Sequence, residues 1–139
     1  MSSSARNPIA LVTGGRRGIG AAIAQALAGR GFDVAIADLE RDENAERTLA
    51  AIKAMGRRAE FLLGDIADVQ SHDALLGKVW DSFGTLDCLV NNAGSGKWAP
   101  VDQTPDEMLD EVIDISLKAP FRFCREALRV MGPGSSIVN

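Results

Sequence analysis

The run ALVTGGRRGIG over Ala10 to Gly20 constrains this chain more than any other part of it. A buried-strand pattern passes straight into glycines spaced to wrap backbone around a phosphate, and then into a helix. In this setting Gly14 and Gly15 suit a tight turn, Gly18 lets backbone approach a pyrophosphate, and Gly20 lets the helix pack closely on the strand before it. The spacing is T-G-x-x-x-G-x-G rather than the commoner G-x-G-x-x-G. The segment predicts a grip on a dinucleotide.

Downstream, apolar runs of strand length alternate with longer amphipathic stretches, and no Ser/Gly linker or shift of composition divides them. Repeated βα units give this pattern. Strands are predicted at 9–13, 34–38, 59–63, 86–90 and 136–138, and helices at 20–30, 44–55, 71–83 and 105–131. Right-handed crossovers then build an α/β doubly wound parallel sheet of Rossmann topology, strand order 3-2-1-4-5. It forms one domain over residues 9–139, behind a loose Ser-rich tail of residues 1–8. The last helix carries a T-x-x-E capping box, Thr104 to Glu107, with Pro105 at the first helical position. Pro120 in its interior should kink or split it. Gly29, Gly31, Gly56 and Gly84 fall where helix ends need left-handed caps or turns.

Ligands of such sheets bind beyond the carboxyl ends of the strands, where the strand order reverses, here between the first and fourth. Asp38 closes the second strand about 20 residues after the glycines, where a carboxylate accepts the ribose hydroxyls of adenosine. Its charge would repel a 2′-phosphate, although Arg16 and Arg17 could offset part of that, so NAD is expected with NADP as the alternative. Asp65 and Ile66, after the third strand, stand where an adenine edge and face would lie, and Asp65 could equally cap a turn. In the stretch Asn91, Asn92, Ala93 and Gly94, small residues let the chain pass close to a cofactor while the amides tie neighbouring strands.

Other features exclude function classes. The 139 residues carry a net charge of −4, with no basic stripe or cationic tail, which argues against nucleic acid and anionic membranes as partners. Cys88 and Cys124 lack metal or disulfide spacing and are expected as reduced buried thiols, with no metal site. No apolar run has membrane-spanning length and the leader lacks an apolar signal region, so the cytoplasm is the expected location. His72, the one histidine, stands alone at a polar helix start and is expected on the solvated surface. Trp98 is either a core plug or a wall of a substrate pocket.

Together these residues resemble the short-chain dehydrogenase/reductase family, from about Pro8 to the end. Thr13, Gly14, Gly15, Arg16, Arg17, Gly18, Ile19 and Gly20 match its cofactor motif, Asp65 its adenine contact, Asn91 to Gly94 its N-N-A-G, and Ser136 to Asn139 its fifth strand. The 3-oxoacyl-[acyl-carrier-protein] reductase branch is the most similar. The resemblance implies hydride transfer between a nicotinamide and a small carbonyl or alcohol substrate, with 3-oxoacyl thioester reduction as one form. It also implies cofactor contacts at Leu39, Asp38, Ile66, Asn92, Ala93 and Gly94, and a homo-oligomer, dimer or tetramer.

Two departures stand out. Family members carry an asparagine in a stretch like N-L-x-x-x-F, where it helps hold a proton-relay water, and Ser116 occupies that place. The family's catalytic serine after the fifth strand and its Tyr-x-x-x-Lys helix are absent, the chain having no tyrosine. The chain is therefore expected to be the amino-terminal portion of the family domain, cut before its last strands and inactive alone. The competing readings are a dinucleotide-binding protein without catalysis and an interaction protein pairing through the long helix.

Overall fold

The computed structural model describes residues 6–139, so the first five positions of the expected tail lie outside the described residues. Five strands, β1 (Ile9–Thr13), β2 (Asp33–Asp38), β3 (Ala59–Leu63), β4 (Leu86–Val90) and β5 (Met131–Val138), form one sheet in the order β3-β2-β1-β4-β5. Every pairing is parallel. Between them run α1 (Gly18–Gly29), α2 (Glu43–Ala54), α3 (Val69–Phe83), α4 (Asp106–Ile113) and α5 (Ala119–Ala127). This is the doubly wound order read from the sequence.

The central strand is buried along its whole length, because helices cover both faces. Alternate side chains divide between two cores. Ile9 and Leu11 join Leu75, Val79, Leu89 and Phe123 on the face of α3 and α5. Ala10 and Val12 join Ala24, Ala28, Leu49 and Ile52 on the face of α1 and α2. Residues 6–8 are bonded to the sheet: both guanidinium Nη atoms of Arg6 donate to the Asp87 carboxylate at 2.7 and 2.9 Å, and Pro8 accepts from the Asp33 N–H at 2.9 Å.

The long last helix differs from its expected form. It ends at Ala127, and it is divided in two, α4 and α5, with Pro120 in the first turn of the second. Between them Asp114–Lys118 form a π-helical turn in which the Ala119 N–H bonds back to the Asp114 carbonyl. A proline lacks the N–H that would reach the carbonyl four residues earlier, and a one-residue widening of the register absorbs that loss. The capping box does not form either. The Thr104 hydroxyl donates to the Pro100 carbonyl at 2.9 Å, drawn into the 3₁₀ turn Val101–Gln103, and Pro105 takes the cap position without a side-chain bond.

Strand β5 begins five residues before its expected start, at Met131. Its register runs from Leu86–Met131 to Cys88–Ser136, so five steps on β5 face two on β4 and residues 132–135 bulge out. Only the predicted portion, Ser136 to Val138, pairs regularly, with Cys88 to Val90. Of the four expected turn glycines, Gly31, Gly56 and Gly84 take positive φ, whereas Gly29 stays helical at the end of α1.

Candidate functional site

The carboxyl ends of β1, β2, β3 and β4 open onto a cleft of about 370 Å³. Its walls bring together Thr13, Gly14, Arg16, Arg17, Gly18, Asp38, Leu39, Asp65, Ile66, Asn92, Ala93 and Gly94, all singled out from the sequence. Ala37, Gly64, Leu75 and Ile115 complete the lining. Gly15, Ile19, Gly20 and Ser116 do not line it.

The floor is a rigid junction between β1 and the chain after β4. The buried Thr13 hydroxyl accepts from the Asn92 and Ala93 N–H groups at 3.0 and 3.1 Å. The Asn92 amide nitrogen returns two bonds, to the Thr13 and Gly14 carbonyls at 3.0 and 3.1 Å. The asparagine therefore ties the strands as its sequence context suggested. Asn91 instead donates to Cys124 Sγ at 3.2 Å and to the Asn139 side chain at 2.8 Å, beneath α5.

The glycines serve different ends. Gly14 has φ +65°, a left-handed turn that only glycine adopts cheaply. Gly15 does not, which corrects its expected turn role. Its requirement is space, since a Cβ there would lie 2.7 Å from Ile36. A Cβ at Gly20 would lie 2.1 Å from the Gly14 carbonyl oxygen, so the helix rests directly on the turn. At Gly18, φ is +58° and nothing stands within 4 Å of a Cβ position. The start of α1 is open to the cleft.

That helix start is also chemically distinct from its neighbours. Asp42 caps α2 and Asp68 caps α3 by accepting backbone N–H bonds. At α1, Arg17 occupies the cap position with no side-chain bond, and the first turn holds no acidic residue. Arg17 and Gly18 at this uncapped start line the cleft, an arrangement that suits a phosphate group.

On the opposite wall, Asp38 accepts from the Leu39 N–H at 2.8 Å and from Arg16 Nε at 3.2 Å. The Arg16 guanidinium also meets Glu40 and Asp42. Burial works against its charge, but Asp38, Asp42 and Glu40 outweigh that and raise its pKa above the usual arginine value. Arg16 is thereby committed to three carboxylates. Arg17 makes no side-chain hydrogen bond among the described residues, so the two arginines differ in what holds them. The Thr48 hydroxyl, donating to the Arg16 carbonyl at 2.9 Å, fixes this loop from α2.

Asp65 does engage a turn, its Oδ1 accepting from the Ala67 N–H at 2.8 Å, while still lining the cleft. Ser116 lies exposed on the π-helical turn, and its neighbour Ile115 reaches the cleft. Trp98 is 83% exposed and plugs no core here.

His72 is the plain correction: expected on the surface, it has no exposed area at all. Helix α3 starts at Val69, two residues before its predicted start, and His72, Leu75, Leu76 and Val79 then form its buried stripe. That i, i+3, i+4, i+7 spacing was the available signal. No helix among the described residues is long and apolar enough to cross a membrane.

The sheet order, with a cleft at the point where it reverses, defines an α/β protein of Rossmann topology. The family model for short chain dehydrogenase matches residues 8–139, and the chain belongs to that family. It is 38% identical over 130 residues to a hydroxynaphthalene reductase of Aspergillus fumigatus, covering 94% of this chain and 48% of that one. Among solved structures, a 3-oxoacyl-[acyl-carrier protein] reductase from Brucella melitensis in complex with NAD superposes with a TM-score of 0.87 at 39% identity, covering 96% of this chain and 55% of that one. A short chain dehydrogenase from Burkholderia cenocepacia in complex with NADP gives 0.88 at 40%, covering 94% and 53%. The chain spans about half the length of the curated relatives it matches.

Proposed function

We propose that this chain holds a nicotinamide dinucleotide in the cleft, NAD in preference to NADP, and supplies the cofactor half of an oxidoreductase acting on a small carbonyl or alcohol. The observation that carries the reading is the uncapped start of α1, which faces the cleft opposite Asp38. The loop Thr13 to Gly20 would hold the pyrophosphate, Asp38 and Leu39 the adenosine ribose, Asp65 and Ile66 the adenine, and Asn92 to Gly94 the stretch toward the nicotinamide. The nicotinamide, when bound, exchanges hydride with the carbon of the substrate carbonyl or alcohol. The preference for NAD rests on Asp38, whose carboxylate lines the cleft where the ribose would lie, with Arg16 shared among Asp38, Glu40 and Asp42.

The substrate oxygen needs a proton donor or acceptor within hydrogen-bond reach. The chain contains no tyrosine, and Ser116, at the family's asparagine position, is exposed rather than in the cleft. We therefore expect the 139-residue chain to bind the dinucleotide without turning it over. Titration with NADH should give a saturable fluorescence change, and assays with ketones or alcohols should stay at background. Turnover that follows this chain through purification would refute the second half of the proposal. Absence of any NADH binding would refute the first.

A further inference from the structure

We propose that His72 is a positioning residue for the adenine side of the cleft, fixing the loop between β3 and α3 through the Ile66 carbonyl; this rests on the dinucleotide reading above. His72 is wholly buried, and its Nε2 lies 2.7 Å from the Ile66 carbonyl oxygen. A carbonyl oxygen only accepts, so Nε2 carries the proton. The other ring nitrogen, Nδ1, is buried with no hydrogen-bond partner among the described residues. Burying a bare nitrogen in an apolar stripe is unfavourable, and a leucine would fill the same position without that cost. Packing alone does not account for histidine there.

The bond to Ile66 does. Within the loop, Asp65 Oδ1 accepts from Ala67 at 2.8 Å and the Asp65 carbonyl from the Asp68 N–H at 3.1 Å. Gly64 donates to the Asp38 carbonyl at 3.1 Å, which joins the loop to the ribose wall. His72 adds a tie from the first turn of α3, and it acts on a residue that lines the cleft. The imidazole is itself wedged by the Phe123 ring of α5, 5.1 Å between centroids and tilted by 57°. A continuous contact thus runs from α5 through Phe123, His72 and Ile66 to the cleft wall.

The test compares AMP, as the adenine-side probe, and NADH on the full chain carrying His72→Leu, His72→Gln or His72→Asn. Leucine keeps the volume and removes the donor, glutamine places an N–H where Nε2 stands, and asparagine is too short to reach Ile66. The leucine variant should bind AMP and NADH about tenfold more weakly, the size of one lost hydrogen bond at a wall, and glutamine should restore AMP binding toward the parent. AMP binding by the leucine variant as tight as the parent's would overturn the proposal. Should the leucine variant fail to fold by circular dichroism, glutamine binding AMP more tightly than asparagine supports the assignment, and equal binding overturns it. A parent that binds neither probe overturns the dinucleotide reading and this one together, an outcome distinct from a parent that binds and a leucine variant that does also. Because the chain has a single histidine, its imidazole ¹⁵N spectrum is unambiguous. The Nε2–H tautomer is expected, and an Nδ1–H tautomer would equally overturn the proposal.

Discussion

Replacing Gly20 by alanine would put a methyl carbon 2.1 Å from the Gly14 carbonyl and 2.6 Å from the Asn92 amide nitrogen. Both are held by the junction of β1 with the chain after β4, so neither can yield cheaply. Gly20→Ala is expected to destabilise the chain by about 1–3 kcal/mol, the usual cost of forcing atoms into a filled site, seen as a lower urea midpoint at unchanged slope. A midpoint equal to the parent's would mean the turn relaxes after all. Charge decides a second case. If Asp38 disfavours a 2′-phosphate, NADH binds more tightly than NADPH, and Asp38→Ala narrows the difference by about tenfold. Arg17→Ala should weaken NADPH more than NADH, since Arg17, unlike Arg16, has no carboxylate partner among the described residues. Parallel titrations with the two reduced cofactors check both, and equal affinities in the parent would contradict the premise.

Helix α2 owes its start to Asp42, whose carboxyl is held below the usual carboxylate range, first by the Ala45 N–H, against burial, and then by Asn44 and Arg16. A carboxyl whose folded pKa is depressed contributes stability that is full above its unfolded value, about 3.9, and lost as pH falls through the lower folded value. The Tm difference between the parent and Asp42→Asn should therefore hold steady from neutral pH down to about 5 and shrink below about 4. A difference independent of pH down to the acid limit would show that the charge of Asp42 is immaterial. Elements of this kind show what sequence can and cannot carry. The strands and the glycine turn were legible because local pattern and backbone chemistry determine them. The fate of Pro120 was not, because whether a helix kinks or widens its register depends on what packs along it. The Thr104 hydroxyl was claimed by a turn that no spacing rule signalled, and Arg16 reaches the three carboxylates of residues 38–42 only once β2 has paired with β1.

At the scale of the molecule, the apolar side chains of α4, the π-helical turn and α5 are left partly uncovered: Leu109, Leu117, Phe121 and Leu128 are each at least half exposed. Beside them β5 is paired on one side only, with β4. Patches of this sort drive association, and we expect the chain to self-associate through this face and this edge. Light scattering over a dilution series should show a concentration-dependent mass, which Leu117→Glu with Phe121→Glu should abolish. A compact monomer at high micromolar concentration would refute it. The overall topology was legible because alternating βα units with right-handed crossovers leave few arrangements open, and the cleft at the switch point followed from it. For the burial of His72 the helical spacing was the one local signal, and what covers it, Phe123 of α5, arrives from 51 positions away in the chain.

The place of β1 in the middle of the sheet also bears on the order in which the chain can assemble. Its register with β4 joins Ala10 to Cys88, whereas its register with β2 joins Ile9 to Asp33. The first pairing closes a loop more than three times as long as the second, and loop closure must be met before the contacts reward it. The half-sheet β1–β2–β3 can therefore form early, but the strand with no exposed backbone in the finished protein spends the interval with one side bare. Pulse-labelling by deuterium during refolding should protect the amides of β2 before those of β4. A chaperone that shields unpaired strands should raise the yield during that interval and leave the finished fold untouched.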